Sequence, residues 1–279
     1  MNNKKIEQIT KYIKDAEAIV IGAGSGLSTA AGLTYCGKRF EDYFSEFIER
    51  YGMEDMYSAG FYPFQTQEEK WAYWSRHIYY NRYDIQEGKV YMDLYQLVKE
   101  GNHFVLTTNV DHQFWLAGFD DEKIFATQGD YGLFQCKRAC HKKLYDNEIQ
   151  VRKMIEKQKD CKIPRELIPK CPKCGGNMEV NLRSDSYFVE NEKWNQANRR
   201  YQKFLHYNQA KRILFLELGV GMNTPMVIKY PFWQMTYRMK NAKYVCVNLD
   251  EANVLNDIAE KSICINADIA DVVEELVGR

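Results

Sequence analysis

The sequence predicts an α/β fold, in which a Rossmann-like, mostly parallel sheet with helices on both faces carries a helical lobe and a small zinc-ribbon insert. Three observations lead to this fold class. Short apolar runs alternate with segments of helical periodicity, a glycine-rich turn joins the first apolar run to a helix, and two close cysteine pairs interrupt the alternation. Strands that alternate with helices are typical of a parallel sheet covered on both faces.

The N-terminal half begins with an amphipathic segment. Ile6, Ile9 and Ile13 fall at helical spacing, which predicts an opening helix over residues 3–15. Ala18 to Ile21 is an apolar run that ends in glycines and is typical of a buried strand. By the same reasoning, helices are predicted at 40–48, 68–80 and 89–100, and strands at 104–108 and 123–126.

From Tyr131 to about Ser184 the sequence changes in character. Charge density rises, apolar periodicity weakens, and five of the eight cysteines occur here, which indicates an inserted module. Strands follow at 213–218, 244–248 and 262–266, with a closing helix from about Asp268. The predicted domains are a Rossmann-like domain of residues 1–130 and 186–279, with its helical lobe at about 36–100, and a zinc-ribbon-like insert at 131–185.

Composition excludes several classes of function. The 279 residues are 45% hydrophobic and carry 38 basic and 38 acidic side chains, so no overall field favours nucleic acid. A local basic patch within 137–170 is compatible with this balance. No apolar run reaches the roughly 18–20 residues of a membrane span, and the N-terminus lacks an apolar signal core. We therefore expect a cytoplasmic protein without membrane partners, whose cysteines do not form a disulfide framework.

The turn Gly22-Ala23-Gly24-Ser25-Gly26 follows a strand and precedes a predicted helix. Glycines at such a position let backbone amides approach a phosphate. The dehydrogenase fingerprint does not fit, because Leu27 occupies the third glycine's position and Asp42, the acidic residue at the right distance, lies in a helical pattern. This mismatch disfavours a hydride-transfer enzyme. The alternative to a phosphate-binding loop is a tight strand-to-helix turn that binds no ligand.

Two polar segments follow the next strands. Thr107-Thr108-Asn109-Val110-Asp111 and Ala126-Thr127-Gln128-Gly129 lie where ligands bind in open α/β sheets, beyond the carboxyl ends of the strands. The alternative for Asn109 and Asp111 is that they only cap the following helix.

Together these segments resemble the NAD-dependent sirtuin family. The glycine turn is similar to the family's G-A-G-x-S loop, with two extra residues before Gly32 and without the I-P-x-F-R continuation. Thr107–Asp111 resembles T-Q-N-I-D, with Thr108 in place of glutamine, and Gln128-Gly129 stands where the family has a catalytic histidine and glycine. Further along the chain, 218–225, 247–250 and 267–269 resemble segments that surround the adenosine half of NAD.

The resemblance implies a role for each matching residue. Asn109 would hold the nicotinamide ribose or an ordered water, Asp111 would orient the nicotinamide amide, and Gln128 would position ribose hydroxyls; these three are the expected catalytic residues. The expected NAD-binding residues are Gly22, Ala23, Gly24, Ser25, Gly26, Thr108, Asn109, Asp111, Gln128, Gly219, Val220, Asn223, Asn248, Asp268 and Ile269.

Gln128 decides which chemistry the resemblance implies. In deacylation the family's histidine removes a proton from a ribose hydroxyl, and general-base work of this kind contributes roughly 10²–10⁴-fold. An amide side chain does not titrate, although it donates and accepts hydrogen bonds. Breaking the nicotinamide–ribose bond requires position and electrostatics more than a base. ADP-ribose can therefore still be transferred to an acceptor.

A subgroup, the class M sirtuins of microbes, shows this glutamine pattern, and the segments Gly60–Thr66 and Trp74–Asp84 also resemble that subgroup. This resemblance implies protein mono-ADP-ribosylation of a lipoylated carrier protein of the glycine-cleavage H type, with a macrodomain hydrolase that reverses the modification. Lysine deacylation with another base, NAD hydrolysis, and a non-enzymatic NAD sensor remain as alternatives.

The cysteines Cys136, Cys140, Cys171 and Cys174 form a C-x₃-C and a C-x₂-C pair separated by 30 residues. Four thiolates at about 2.3 Å from a zinc ion make a closed structural site. Sirtuins carry such a ribbon at this point of the chain, which supports structural Zn²⁺ beside NAD. Cys161 and His141 are alternative ligands, and free buried thiols are the alternative to a metal site.

Overall fold

The structure is a computed structural model that describes residues 3–222 and 224–278. The chain separates into two compact units. The sheet unit comprises the residues up to Gly32, Glu87–Gln128 and the residues from Glu192 onward. The ribbon unit comprises Leu33–Gln86 and Gly129–Asn191. Most of the predicted helical lobe thus groups with the cysteine-containing insert, because its helices share a core with that insert. The domain boundaries predicted from the sequence, at 130/131 and 185/186, remain a prediction.

Nine strands are formed in the described residues, and their bounds follow in chain order. They are β1 (Ala18–Ala23), β2 (His103–Thr107), β3 (Ile124–Ala126), β4 (Gly129–Cys136), β5 (Tyr145–Asp146), β6 (Met178–Leu182), β7 (Ile213–Leu218), β8 (Lys243–Asn248) and β9 (Ser262–Asn266).

Eleven α-helices are formed in the same part of the chain. They are α1 (Asn3–Asp15), α2 (Ser25–Ala30), α3 (Lys38–Tyr51), α4 (Met56–Ala59), α5 (Gln67–Ile78), α6 (Lys89–Val98), α7 (Gln113–Leu116), α8 (Glu148–Lys157), α9 (Glu192–Asn208), α10 (Lys229–Arg238) and α11 (Ile269–Val277). A π-helical turn, Tyr79–Tyr83, continues α5.

The sheet unit contains a six-stranded parallel sheet in the order β3-β2-β1-β7-β8-β9. Its four central strands read as near-continuous apolar runs because helices cover both faces. One face packs against α1, α6 and α11, with residues such as Ile21, Val105 and Val273 in the core. The other face packs against α9 and α10 around residues such as Phe215 and Phe232. The confirmed fold class is therefore α/β, with a doubly covered parallel sheet.

Strand order reverses between β1 and β7. From β1 the chain extends the sheet through β2 to β3, and it then returns to β7 on the other side of β1 and proceeds to β9. Open α/β sheets bind ligands outside the carboxyl ends of the strands at such a switch point. The loops after β1 and β7 are therefore the first place to look for a ligand site.

The ribbon unit combines a three-stranded antiparallel sheet, β5-β4-β6, with α3, α4, α5 and α8. Its core is rich in aromatic side chains. Phe44 lies 5.3 Å from the ring of Tyr73, and Trp71 meets Phe134 edge-on at 4.9 Å between ring centroids. Thr66 starts α5 with a capping box, because its side chain accepts from the Glu69 amide while the Glu69 carboxylate accepts from the Thr66 amide.

Among the described residues, none of the helices is both long enough and apolar enough to span a membrane.

Candidate active site and metal centre

The loops after β1 and β7 are joined by their backbones at the switch point. The amide of Gly24 donates to the carbonyl of Leu218 at 3.0 Å, and the amide of Gly26 donates to the carbonyl of Gly219 at 3.0 Å. A Cβ at Gly24 would lie 2.6 Å from the Gly219 oxygen, and Gly219 itself has a φ of 64°. The glycines at these positions are thus required by loop-to-loop packing.

This packing limits which backbone amides of the glycine turn are available to bind a phosphate. The amides of Gly24 and Gly26 already donate to carbonyls, so neither is free for a phosphate. Ser25 is exposed, and its amide has no hydrogen-bond partner in the part of the chain that the structure describes. Gly22 lies inside β1, where a Cβ would collide with the Phe232 ring. Ser25 is therefore the loop residue with a donor to offer, and binding by this loop remains a prediction.

Asn109 lies two residues beyond β2 and is 7% exposed. Its side-chain NH₂ group donates to the carbonyl of Gly24 at 2.9 Å and to the hydroxyl of Tyr91 at 3.1 Å. Its own amide donates to Thr107 Oγ1 at 2.9 Å. Both side-chain N–H groups are thus used, and Oδ1 is the atom that has no partner among the described residues. The side chain is held so that it presents an acceptor.

A hydrogen-bonded chain of fixed direction runs from Asn109 to Asp111. Ser28 Oγ donates to Asp111 Oδ2, and Ser28 Oγ lies 3.1 Å from the Tyr91 hydroxyl. Since the single hydroxyl proton of Ser28 points to Asp111, Tyr91 donates to Ser28 and accepts from Asn109. No motif in the sequence singles out Ser28 or Tyr91. Tyr91 lies on the buried face of α6, and its polar tip was the only signal of a role beyond packing.

Two contacts of Asp111 combine the two interpretations of the sequence. Its Oδ1 accepts from the amide of Gln113, the first residue of α7, at 3.1 Å. This contact is the helix-start role. Its Oδ2 accepts from Ser28, which is the role within the polar chain. Asp111 is only 6% exposed. Its carboxylate therefore fixes the positions of Ser28 and of the start of α7.

Gln128 lies two residues beyond β3, and Asn109 lies two residues beyond β2. The pairing of Thr107 with Ala126 aligns the ends of these adjacent strands, so both amides lie at the same carboxyl edge. Gln128 is half-buried, and its side chain makes no hydrogen bond to any described residue. Its neighbour Thr127 is anchored, because its amide donates to the Thr107 carbonyl at 2.9 Å. A neutral amide therefore stands at the edge with both of its polar atoms available.

Thr108 is tied to the end of β1. Its amide donates to the carbonyl of Ala23 at 3.0 Å, and its hydroxyl lies 3.4 Å from the same oxygen. The predicted residues Ala23 and Thr108 thus support the edge through backbone contacts.

The residues predicted for the adenosine half follow β7, β8 and β9. Asn248 Nδ2 donates to the carbonyl of Val220 at 3.2 Å, which links two of them. Asp268 caps α11, because its Oδ1 accepts from the Ala270 amide at 2.7 Å, and Ile269 is buried. Asn223 lies outside the described residues. Adenosine binding by this group remains a prediction.

The ribbon unit brings four cysteines together. The sulfurs of Cys136, Cys140, Cys171 and Cys174 all lie within 4.8 Å of one another. Two of the separations, Cys136 to Cys174 and Cys140 to Cys171, are 3.7 Å. Tetrahedral coordination with bonds of about 2.3 Å places neighbouring sulfurs about 3.8 Å apart. This donor set fits a closed structural zinc site, as expected from the sequence.

The two alternative ligands do not belong to this group. Cys161 is buried elsewhere in the ribbon unit, and burial raises the pKa of its thiol. His141 Nδ1 lies 3.1 Å from Cys140 Sγ, but its Nε2 is hydrogen-bonded to the Tyr145 hydroxyl at 2.9 Å. His141 therefore supports the cysteine group from outside.

The ribbon unit also holds a buried chain of polar side chains that no sequence motif predicts. Tyr73 donates to the Met56 carbonyl at 2.6 Å and lies 3.2 Å from His77 Nδ1, while His77 Nε2 lies 2.8 Å from the Tyr131 hydroxyl. Since Tyr73 has given its proton away, Nδ1 of His77 donates and Nε2 accepts from Tyr131. Burial, with a contribution from the Arg39 charge, lowers the pKa of His77 to about 3, so this histidine is neutral.

Comparison with known proteins identifies the family to which this chain belongs. A profile of the Sir2 family matches residues 24–216, which is more than half of the chain. The chain therefore belongs to the Sir2 family of NAD-dependent enzymes. A Staphylococcus aureus protein named protein ADP-ribosyltransferase is 40% identical over 261 residues, with 93% of this chain and 83% of that protein covered.

Other relatives are more distant. A Fusarium oxysporum protein, described as a probable bifunctional ADP-ribose hydrolase/ADP-ribosyltransferase, is 29% identical over 234 residues; these cover 79% of this chain but only 38% of that protein. Among solved structures, Sir2Tm bound to a propionylated peptide has a TM-score of 0.63 at 19% identity, with 98% of both chains covered. A Sir2 mutant with a p53 peptide and NAD has a TM-score of 0.64 at 19% identity, covering 98% of this chain and 97% of that one. These structures establish the shared fold.

Proposed function

We propose that this chain is a sirtuin-type protein mono-ADP-ribosyltransferase that uses NAD and modifies a lipoylated carrier protein of the glycine-cleavage H type. The observation that carries the proposal is Gln128, an unpartnered amide at the carboxyl edge where the family has a histidine. The name of the S. aureus relative supports the enzyme class. The carrier is inferred from the resemblance to class M sirtuins.

The polar residues at the edge fit the sugar of NAD. Asn109 Oδ1 offers an acceptor to a ribose hydroxyl, since both N–H groups of its side chain are held by Gly24 and Tyr91. Gln128 can both donate to and accept from a second hydroxyl. Asp111 holds its geometry through Ser28 and the start of α7. Together these residues would orient the nicotinamide ribose.

NAD, when bound, supplies the ADP-ribosyl group through a nicotinamide–ribose bond that breaks with departure of neutral nicotinamide. The residues at the edge contribute position and fixed dipoles, which is the form of help that such a bond cleavage needs most. The acceptor's nucleophile forms the new bond to the ribose carbon and loses its proton. Because Gln128 does not titrate, this chain offers no base at that position for activating a ribose hydroxyl.

The alternative is a lysine deacylase in which another residue replaces the missing base. His112 is the histidine of the sheet unit that lies at the carboxyl edge, three residues beyond Asn109. Its ring stacks on Trp115, with 4.4 Å between centroids and 9° between planes. A deacylase that depends on this ring would lose its activity in His112→Gln, whereas ADP-ribosylation would persist. NAD hydrolysis would leave free ADP-ribose instead of labelled protein.

The test incubates the enzyme with NAD labelled in its adenylate part and with lipoylated and unlipoylated carrier. We expect label on the lipoylated carrier. Turnover of acyl-lysine peptides into acyl-ADP-ribose, with no labelled carrier, would overturn the proposal.

A macrodomain hydrolase is proposed as the enzyme that removes the label, and the two activities in the name of the Fusarium relative support this pairing.

Asn109→Ala tests the site itself. We expect labelling to fall by about 10²-fold or more, since both the acceptor and the order of its neighbours are lost. The substitution also leaves the buried Gly24 carbonyl without this donor, at a cost of about 1–3 kcal/mol. Asn208→Ala is the matched control, because Asn208 is also buried and hydrogen-bonded in the sheet unit but meets Asn102, at the amino end of β2. Equal labelling by both variants would remove Asn109 from the site.

A further inference from the structure

The composition of the whole chain conceals a strongly basic segment. Positive and negative side chains are equal in number, 38 of each. Residues 136–176 nevertheless hold 12 Lys and Arg against 5 Asp and Glu. The rest of the chain therefore carries a matching negative excess, and the positive charge is concentrated around the cysteine group.

Two turns of this segment, 137–144 and 170–177, contain no acidic residue. We call them the basic turns. Each turn contains or directly adjoins two of the four clustered cysteines, so the convergence of those cysteines holds the turns side by side. Their six basic side chains all belong to exposed residues: Lys137, Arg138, Lys142, Lys143, Lys170 and Lys173.

Few acidic groups in the described part of the protein neutralise these charges. Lys137 lies 3.4 Å from Glu179, which is also paired with Lys70. The other five basic residues form no ion pair with the residues that the structure describes; Lys170, for example, donates to Asn177 Oδ1 at 2.7 Å. A zinc ion bound by four thiolates would carry a net charge of about −2. That charge is smaller than the surplus, so stabilisation of the metal centre does not account for all six residues.

We propose that the basic turns are the docking surface for an acidic face of the protein acceptor. The inference rests on the proposed function, which requires the enzyme to engage a folded protein. A rigid patch of one charge sign raises the association rate with a partner of opposite sign. The basic turns contain no Phe, Tyr or Trp, whereas surfaces for single-stranded nucleic acid combine cations with stacking aromatic residues. An acidic protein therefore fits the chemistry better than RNA.

The test compares two triple variants with the same change in net charge. The docking variant is Lys142→Glu/Lys143→Glu/Lys173→Glu, and the control is Lys4→Glu/Lys11→Glu/Lys14→Glu on α1. For the docking variant we expect KM for lipoylated carrier to rise at least 10-fold, with kcat, zinc content and NAD affinity unchanged. For the control we expect KM within twofold of the wild type. Raising NaCl from 50 to 300 mM should weaken the wild type and remove most of the difference between it and the docking variant.

A binding measurement without NAD separates this inference from the proposed function. If the wild type labels the carrier and the docking variant has an unchanged KM, the docking surface is wrong while the function stands. If the wild type labels no carrier, the function fails; the docking inference is then judged by whether the wild type binds the carrier and the docking variant binds at least 10-fold more weakly. Equal weakening by the control variant, or tighter binding of a 20-nucleotide RNA than of the carrier, would overturn the docking inference.

Discussion

The amide side chains of Asn109 and Gln128 are held to different degrees at the edge of the sheet. Asn109 is fixed by two hydrogen bonds from its NH₂ group, whereas Gln128 has no partner among the described residues. A preorganised acceptor loses nothing to reorganisation when a ligand arrives. Gln128 must instead be ordered by what it binds, so its contribution depends on the bound sugar.

Gln128→His tests the meaning of the neutral side chain through pH. An amide does not titrate between pH 5.5 and 8, so residue 128 should give the wild-type transfer rate no pH dependence in this range. A histidine there would titrate near its ordinary pKa of about 6.5. We expect the variant's pH profile to gain an inflection between about pH 6 and 7 that the wild type lacks. Superimposable profiles for the two proteins would show that residue 128 does not face the reacting sugar.

His77 shows how a residue can couple stability to pH. Its pKa is lowered by burial to about 3 in the folded ribbon unit and is about 6.5 when unfolded. The proton that Tyr131 donates to Nε2 and the nearby charge of Arg39 both favour the neutral ring, whereas Tyr73 accepts from Nδ1 in either protonation state. Between pH 6.5 and 3 the unfolded chain binds the extra proton, so stability falls as the pH falls.

The expected loss from this histidine between pH 7 and 4.5 is about 2–3 kcal/mol. His77→Gln keeps a donor and an acceptor but cannot be protonated, so its urea midpoint should fall less over the same range. Hydrogen exchange in 33–86 and 129–191 would report the difference for the ribbon unit. Identical pH dependence in the two proteins would contradict this account.

At the scale of elements, the strands β7 and β8 enclose a buried ion pair beneath α10. Lys229 Nζ is paired with Glu217 Oε1, and both residues are 0% exposed. The Tyr244 hydroxyl donates to the other oxygen of Glu217 at 2.7 Å. The ion pair and the Tyr244 contact explain how an acidic residue is accommodated in an otherwise apolar strand.

Lys229→Met should lower the free energy of unfolding by about 3–5 kcal/mol, because it leaves the Glu217 carboxylate buried without its cation. The double variant Lys229→Met/Glu217→Leu should recover most of that loss, since no unpaired charge remains. Guanidinium unfolding of the two single variants and the double variant measures the coupling. A double variant as unstable as Lys229→Met would show that packing rather than charge holds this region.

Helix and strand assignments depended on periodicity, which predicted helices at the positions of α1, α3, α5, α6 and α11. The 17-residue helix α9 and the ten-residue helices α8 and α10 received no predicted range. Strands at 213–218 and 262–266 have the predicted bounds, and the other predicted strands of the large sheet differ by one or two residues at one or both ends. The short helices α4 and α7, of four residues each, were missed because four residues show no helical repeat. The extension of α5 into a π-helical turn also leaves no signal in the pattern of apolar residues.

The positions of the candidate site residues in the fold were predictable where a residue type has few alternatives. The cysteine group and the polar residues after β2 and β3 could be recognised from type and spacing. Tyr91, Ser28 and the His77 chain could not, since each acts through a partner distant in sequence; Ser28 and Asp111, for instance, are 83 residues apart. The role of Gly24 and Gly26 in packing was likewise hidden, because a glycine pattern does not reveal which backbone approaches it.

At the scale of the whole molecule, a zinc ion held by the four clustered cysteines would link two distant stretches of the ribbon unit. Freshly purified protein should contain one zinc per chain, and Cys171→Ser should lower that content and the thermal midpoint together. Chelation should increase hydrogen exchange in 136–144 and 170–177. Cys161→Ser is the control, since Cys161 lies outside the group, and it should retain its zinc. Metal-free protein with an unchanged thermal midpoint would contradict a structural role for zinc.

The contact between the two glycine loops has a consequence for redesign of this enzyme. Because the turn after the first strand and the turn after the seventh touch along their main chains, neither can be enlarged alone. In a library that varies only one of the two turns, most variants would lose the pairing between the two central strands that these turns follow. Altered dinucleotide preference is therefore best sought by exchanging both turns together.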